Sequence, residues 1–568
     1  MLVATLLLAR TAFATPLEVV ITGVDGELSR NVSAYLTISQ MSGTDLSDAR
    51  VQYLHRRSER EVRQALEPYG YYQVEIDSSL QQSAEGWRAR YHITPGPQVK
   101  IAHIDLRVTG DGAEDAAFRA LELAPGISVA EPLIHEQYQA LKSRLQNLAA
   151  ERGYYDAQWV QQKILVDREN LAATVVLHYN TGIRYRYGDV RFSETPLEPE
   201  FIQRFVRIKA RQPVLTRELL QLQARLNNTD YFQRVEVRPL WQQRRDGVVP
   251  IQVELEMRKR TRYRTGIGYD TDTRTRLTAG VTRRWVNASG HSFDTQAQLS
   301  PVRSDIVAQY RIPGKRPESE QYSLRTAYQN EHSDPVDSET WATGISWQRL
   351  QGDWIQILGL DLERESFTID EQPQKSRFIF PRASWSRTHA DNRLNVRRGY
   401  RLTIETLGSS DLWYSDTSFV QGRIEAKGIY ALGDNWRLLG RTELGGTVID
   451  DRDALPASKR FFAGGDNSVR GYRYKTLAPL SEEGNIEGGQ GLIVVSAEID
   501  YRLLEEWRLA IFADHGSAIN SLEDSLSTGV GGGIRWLSPI GPVRIDIGWA
   551  LDLPNTPWRL HFSIGPDL

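Results

Sequence analysis

Arg470 has the most distinctive chemical setting in the sequence, because it lies in a long glycine-containing segment, 461–474. A guanidinium group presents a planar, permanently charged set of donors that matches a carboxylate. If the segment folds into a confined interior, this charge needs an acidic partner, because an unpaired buried ion is costly. The carboxylates on the predicted strands that follow are Glu498, Asp500, Asp514 and Asp546. The alternative is a surface loop with a solvated arginine.

Catalytic and cofactor chemistry finds little support in the sequence. Cysteine is absent, which excludes disulfides, thiol nucleophiles, Cys-ligated zinc and iron–sulfur clusters. The ten histidines are scattered, and neither His-Glu-x-x-His nor Gly-x-Ser-x-Gly occurs. Asp514 and His515 are neighbours in a predicted strand, so their side chains point to opposite faces. Gly531–Gly533 lies within a strand, which makes it a poor nucleotide site. We expect no catalytic residue, metal or cofactor.

Two further protein classes are excluded by charge and hydropathy. The chain has 568 residues with 69 Lys+Arg and 72 Asp+Glu, a net charge of −3. A non-specific nucleic-acid binder would carry a basic excess, so no nucleic-acid partner is expected. No apolar run reaches the roughly 18 residues of a membrane helix, which excludes a polytopic helical membrane protein.

Residues 258–568 have the alternation of a transmembrane β-barrel. Within 542–551, Val543 and Ile545 share one face while Arg544 and Asp546 share the other. A soluble β-sandwich would need a buried apolar face, but the alternate face here is charged in successive strands. We predict sixteen strands, an even number that closes the barrel with both ends on one side. They start near residues 262, 274, 290, 304, 320, 340, 354, 377, 398, 417, 436, 489, 508, 528, 542 and 559.

The first part of the chain contains three repeats of about 80 residues, which predict three small α+β domains. After each predicted helix comes an aromatic pair followed by two strands; the pairs are 71–72, 154–155 and 231–232. Gly70 and Gly153 are expected to cap the first two helices. The predicted domains are 15–97, 98–181 and 182–257. Residues 1–14 are predicted to be a signal peptide, because Ala12-Phe13-Ala14 follows a short apolar run; the missing basic region indicates a truncated start.

The segment 464–474 resembles the lid-loop signature of the outer-membrane assembly proteins related to BamA. The residues at its core are Val469, Arg470, Gly471 and Tyr472. Phe512–Gly516 resembles the next barrel motif of that family, and the N-terminal repeats resemble its periplasmic POTRA domains. The resemblance implies three POTRA-like domains followed by a sixteen-stranded antiparallel transmembrane barrel. It also implies a lid loop at about 447–488 inside the barrel, with Arg470 paired to Asp514.

Within that family, three repeats and one sixteen-stranded barrel look like the TamA type, the outer-membrane subunits of the translocation and assembly module. The resemblance implies a Gram-negative outer-membrane protein with periplasmic N-terminal domains that inserts barrel clients such as autotransporters. The implied partners are an inner-membrane-anchored TamB-like protein, unfolded outer-membrane protein clients and outer-membrane lipid. Two alternatives are a dedicated secretion pore of the two-partner type and a barrel enzyme such as a protease or lipase. Loss of several outer-membrane proteins, rather than of one exported substrate, would favour the assembly factor.

The barrel has a predicted weak seam where its first strand, 262–270, meets its last, 559–565. Glycines weaken pairing, and proline cannot donate a ladder hydrogen bond. The residues concerned are Gly266, Gly268, Ser563, Gly565 and Pro566. A client strand can pair with such an edge by β-augmentation. Cysteines at Gly268 and Ser563 would lock the seam if the register brings their Cα atoms within about 4.4–6.8 Å.

Overall fold

The computed structural model describes residues 17–564, except 45, 84–85, 335, 370–371, 393–394, 450, 452–453 and 539–540. The predicted signal peptide at 1–14 and the seam positions Gly565 and Pro566 lie outside the described residues. Those two interpretations therefore stay predictions.

Three small α+β domains come first, as the repeats predict. The first contains β1 Leu17–Thr22, α1 Gly26–Tyr35, α2 Thr37–Gln40, α3 Asp48–Leu66, β2 Glu75–Ser83 and β3 Gly86–Thr94. The second contains β4 Lys100–Thr109, α4 Ala116–Leu123, α5 His135–Arg152, β5 Gln158–Asp167 and β6 Ala172–Asn180. The third contains β7 Arg186–Phe192, α6 Pro199–Gln203, α7 Thr216–Asn227, β8 Phe232–Pro239 and β9 Val248–Met257. The domain boundaries at 97, 181 and 257 stay predictions.

Each of these domains builds a three-stranded sheet whose last strand is central, in the orders β1-β3-β2, β4-β6-β5 and β7-β9-β8. The helices cover the sheet with an apolar stripe. In α5, Tyr138, Leu141 and Leu145 recur at helical spacing and are buried, and each contributes about 1.5–3 kcal/mol by leaving water. Gly153 ends α5 with φ 86°, a left-handed conformation that favours glycine.

Sixteen antiparallel strands follow, and the sheet runs in chain order from β10 to β25. The strands are β10 Thr261–Asp270, β11 Arg274–Arg283, β12 Ser292–Leu299, β13 Arg303–Pro313, β14 Glu320–Ser333, β15 Val336–Gln351, β16 Trp354–Ile369, β17 Gln372–Ala390, β18 Arg398–Ser409, β19 Phe419–Leu432, β20 Trp436–Ile449, β21 Gly491–Arg502, β22 Trp507–Ile519, β23 Ser527–Ser538, β24 Gly541–Ala550 and β25 Trp558–Ile564. The predicted number and order of strands are confirmed.

The two faces of each strand differ in the way that a barrel in lipid requires. On β24, Ile545 is 44% exposed on the outer face, whereas Asp546 is 4% exposed on the lumen face. Charged side chains therefore point into the lumen, where they meet one another and the lid loop. Among the residues that the structure describes, no helix combines the length and apolar character needed to cross a bilayer.

Contacts within the chain divide it into two compact units. One holds the first two domains and the start of the third as far as Arg191, together with Ile208–Gln221 and Val237–Val253; the other holds the barrel together with Phe192–Arg207 and Leu222–Glu236. Inside the second unit, the Tyr231 hydroxyl donates to the Gly290 carbonyl at 2.5 Å. Part of the third domain is thus packed on the turn between β11 and β12.

Candidate functional site

The lid loop connects β20 with β21 and lies inside the barrel. Val469 is fully buried and Tyr472 is 3% exposed, and both belong to an apolar cluster with Leu492, Val494 and Ala550 of the barrel wall. The loop has internal pairing, because Phe461 bridges Gly489 and Ala463 bridges Leu477. It is therefore a folded element of the lumen. β20 ends and β21 begins within three residues of the predicted loop limits.

Arg470 is surrounded by carboxylates of three different strands. Its Nε donates to Asp514 Oδ2 at 2.8 Å and its Nη2 donates to Asp514 Oδ1 at 3.0 Å. Nη1 lies 2.8 Å from Glu498 Oε2 and 3.1 Å from Asp546 Oδ2. The backbone N–H of Arg470 also donates to Asp514. The two Asp514 contacts form a bidentate pair, the strongest geometry for this combination of groups.

The remaining contacts around Arg470 hold the guanidinium in one orientation. It lies over the Phe512 ring at 3.4 Å from the centroid, a cation–π arrangement. Arg535 donates to Glu498 and Asp546, so the acidic charges are shared between two arginines. Asp500, the fourth acidic candidate from the sequence, pairs with Arg437 and Arg508 instead.

Gly471 and Gly529 allow the lid loop to touch the wall backbone. Gly471 has φ 97°, and a Cβ there would lie 2.8 Å from the carbonyl carbon of Trp549. A Cβ on Gly529 would lie 1.8 Å from the Arg470 carbonyl oxygen, so only glycine fits this strand position. Next to this contact, the Tyr472 hydroxyl lies 2.9 Å from the Asp552 carboxylate, to which it donates.

The lid loop also contacts the opposite wall. Lys459 Nζ lies 2.7 Å from Glu363 Oε1, and the Ser458 backbone N–H donates to Glu365 at 3.1 Å. Lys475 pairs with Glu331. The loop thus spans the lumen between β14–β16 and β21–β24, and its release requires several ion pairs to break.

The predicted seam lies between the two ends of the sheet. In the described part of the chain, no ladder joins β10 to β25. Between described residues, two hydrogen bonds cross the junction: Thr271 N–H to the Phe562 carbonyl at 3.3 Å, and Phe562 N–H to Thr271 Oγ1 at 3.0 Å. Because the strands are antiparallel, this contact places Ser563 opposite Asp270. The suggested pairing of Gly268 with Ser563 is therefore two residues out of register.

Gly266 and Gly268 of β10 lie opposite Thr278 and Arg276 of β11, whose side chains occupy the space beside the two glycines. A Cβ on Gly266 would lie 2.7 Å from Thr278 Oγ1, and a Cβ on Gly268 would lie 2.8 Å from Arg276 Nε. The outward side chains of β10 are open, with Ile267 79% exposed, as they are on the doubly paired strand β20, where Val448 is 78% exposed.

Sequence reasoning missed Asp466 and His561, which join the lid loop to the seam. His561 Nδ1 lies 2.6 Å from Asp466 Oδ1, and the Thr271 hydroxyl donates to the same carboxylate at 2.7 Å. The sequence offered only a weak signal, namely an aspartate after Gly464-Gly465 and a histidine on the lumen face of the last strand.

The side chain of Asp272, in the turn between β10 and β11, accepts a hydrogen bond from the Asp466 backbone N–H at 2.8 Å. Burial, followed by the negative charge of Asp466, raises the Asp272 pKa to about 8; Asp270 raises it further and Arg559 opposes the shift. A raised carboxyl pKa stabilises the folded state at low pH, and this contribution is lost as pH rises toward 8.

Replacing Asp272 with asparagine is therefore expected to stabilise the protein increasingly as the pH rises from about 4 toward 8. Asparagine keeps the acceptor oxygen but cannot ionise. Thermal unfolding of parent and variant should coincide near about pH 3, below the ordinary aspartate pKa, and the variant should unfold at a higher temperature near about pH 9. Equal midpoints at both pH values would contradict the assigned titration.

Comparison with known proteins agrees with this architecture. The Omp85 superfamily domain matches residues 251–567, and the model "POTRA domain TamA domain 1" matches residues 18–95. The outer membrane protein assembly factor BamA of Nitratidesulfovibrio vulgaris is 25% identical over 364 residues, covering 60% of this chain and 46% of that protein. The chloroplastic outer envelope protein 80 of Arabidopsis thaliana is 30% identical over 117 residues, covering 18% of this chain and 14% of that protein. The chain spans less than half the length of these curated relatives.

A solved structure shows the same fold. BamA from Haemophilus ducreyi lacking POTRA domains 1–3 aligns with a TM-score of 0.70 at 15% identity, covering 81% of this chain and 99% of that one. The superfamily model covers more than half of the present sequence, and its match contains the lid loop and both seam strands. The chain therefore belongs to the Omp85 superfamily, with its barrel in the outer membrane and its POTRA domains in the periplasm.

Proposed function

We propose that this protein inserts β-barrel clients, such as autotransporters, into the outer membrane through its lateral seam. The observation that carries this proposal is the junction of β10 with β25, where two hydrogen bonds of Thr271 and Phe562 replace a ladder in the described residues. Elsewhere the strands are paired over long stretches, as in the fourteen-residue β14 against β15. Separation of the wall should therefore begin at the seam.

An opened seam gives a client strand a backbone template. The edge of β10, which no ladder covers in the described residues, offers backbone donors and acceptors that an incoming strand satisfies by β-augmentation. Such an edge is costly in lipid, so a client strand lowers the free energy of the open state. The energy for insertion then comes from client folding, without a nucleotide.

The lid loop favours this lateral route over a route through the lumen. Arg470, Lys459 and Lys475 hold the loop across the interior by ion pairs to both walls. A dedicated secretion pore of the two-partner type would have to break these contacts to create a channel. Lateral opening leaves these ion pairs intact and requires only the contacts at the seam to break, including those of Asp466 with Thr271 and His561.

The proposed partners are unfolded outer-membrane protein clients, outer-membrane lipid and a TamB-like protein anchored in the inner membrane. The last of these is supported by the match of residues 18–95 to the first POTRA domain of TamA. The POTRA domains lie on the periplasmic side, where an inner-membrane-anchored partner and soluble clients arrive. A TamB-like protein should be recovered with the full chain after crosslinking in cells, and should be lost when residues 17–95 are deleted.

Removal of the protein from its source bacterium is expected to lower the amounts of several outer-membrane barrels at once. Quantitative proteomics of outer-membrane fractions measures this, and re-expression of the parent chain should restore the amounts. Depletion of one exported substrate, with all barrels at parental levels, would favour the secretion pore. Unchanged barrels and unchanged secretion would contradict both functions.

A further inference from the structure

One carboxylate of the lid loop contacts both strands of the seam. The Asp466 side chain is 3% exposed, and its Oδ1 lies 2.6 Å from His561 Nδ1 of β25. The hydroxyl of Thr271, at the end of β10, lies 2.7 Å from both Asp466 oxygens, and the Thr271 N–H donates to Oδ2 at 3.2 Å. We call Asp466, Thr271 and His561 the seam latch.

Asp466 acts on the seam itself through the Thr271 hydroxyl. A hydroxyl has one hydrogen to donate and two lone pairs that accept. Because a carboxylate can only accept, the Thr271 hydrogen must point at Asp466. Its lone pairs are then available to the Phe562 N–H, which donates to Thr271 Oγ1 at 3.0 Å. Asp466 thus orients an atom that makes one of the two hydrogen bonds that the described residues form across the junction.

His561 holds the last strand to the lid loop at two positions. The Gly471 N–H donates to His561 Nε2 at 2.8 Å, so Nε2 is the acceptor nitrogen. In the neutral ring the hydrogen is then on Nδ1, which faces Asp466. The imidazole is 4% exposed, so water does not compete easily for either contact.

The latch is separate from the contacts of Arg470. Arg470 pairs with Asp514 of β22, Glu498 of β21 and Asp546 of β24, and none of these strands borders the seam. Arg470 therefore holds the loop in the lumen, whereas Asp466 connects the loop to β10 and β25. Arg470 and Asp466 thus stabilise different contacts of the same loop.

We infer that Asp466 is a positioning residue of the lateral seam, whose contacts with Thr271 and His561 must break before β10 and β25 separate. Release of this part of the lid loop and opening of the seam are then one coupled step. The biological use of that step rests on the proposed function. The coupling is a property of the protein alone.

The test measures the seam directly in the purified full chain. Because the sequence contains no cysteine, spin labels can be placed at two introduced cysteines only. Ile267 on β10 and Leu560 on β25 are suitable sites, because they are 79% and 51% exposed on the outer face. Pulsed electron paramagnetic resonance in lipid discs then gives the distribution of distances across the seam.

Asp466→Ala is expected to raise the ratio of separated to closed seam by about ten-fold, since a hydrogen bond to a charged group is lost. Thr271→Val keeps the shape of the side chain but removes the hydroxyl, and should act in the same direction. Glu483→Ala is the matched control, because it removes an exposed carboxylate from the same loop. It should leave the distance distribution at parental values.

Heat-modifiable migration on gels identifies the variants that fold, and Thr271→Val serves if Asp466→Ala does not fold. Parental distance distributions in the folded variants would overturn the inference. The measurement uses no client, so it is independent of the proposed function. If the seam separates in Asp466→Ala while cells retain normal outer-membrane proteins without the chain, the coupling holds and the proposed function fails.

Discussion

Replacing Arg470 with alanine is expected to release the lid loop from the lumen wall of a folded barrel. The guanidinium contacts Asp514, Glu498 and Asp546, and Asp514 is fully buried. Removing one partner of a buried ion pair leaves charge uncompensated and costs about 3–5 kcal/mol. This is comparable to the free energies that separate docked and released states of a loop.

The released loop can be detected through Val469, which is completely buried next to Arg470. A cysteine at this position should react slowly with a maleimide in the parent and rapidly in the Arg470→Ala variant. Arg473→Ala is the matched control, because Arg473 is exposed and pairs with Asp334 at 3.6 Å near the surface. Continued protection of the Val469→Cys thiol in folded Arg470→Ala would show that other contacts hold the loop.

The number of barrel strands was predictable because the bilayer constrains the residue pattern of every strand separately. Each strand must alternate between lipid and lumen, and β24 does so with Ile545 outside and Asp546 inside. The strand ends were less predictable. β15 begins at Val336 and β17 at Gln372, earlier than the predicted 340 and 377, because ladder pairing with a neighbouring strand continues after the hydropathy pattern has ended.

The candidate site was predictable only where a motif carried the information. The lid-loop motif led to Arg470, and the carboxylates of the following strands gave its partners, including Asp514. The latch could not be predicted in the same way. Thr271, Asp466 and His561 lie far apart in the chain, and although Asp466 lies within the lid-loop segment, nothing in the sequence indicates that it contacts the other two. The closure of the barrel brings them together.

The seam register shows a further limit of sequence reasoning. Glycines at 266 and 268 indicate a weak edge, but they do not say which residue of β25 lies opposite. The hydrogen bonds between Thr271 and Phe562 determine this alignment and place Asp270 opposite Ser563. The design of a crosslink across the seam therefore depends on the structure.

A disulfide across the seam should stop client insertion completely, because it prevents β10 from separating from β25. We expect the pair Asp270→Cys and Ser563→Cys to form it, since the observed register places these residues opposite each other. Each single cysteine variant controls for the lost contacts of Asp270 with Thr273 and Arg276. A second disulfide between Ala327 and Ala342, which pair directly within the wall, controls for oxidation of the barrel.

The measurement that tests the central claim is insertion of an unfolded β-barrel client into liposomes that contain the oxidised or the reduced seam variant. Folded client is quantified by heat-modifiable migration. The lateral-seam account predicts loss of insertion in the oxidised seam variant, recovery after reduction, and parental insertion by the oxidised 327–342 control. Parental insertion by a barrel whose seam is quantitatively crosslinked would contradict the account and would direct the search to the lumen or to the surrounding lipid.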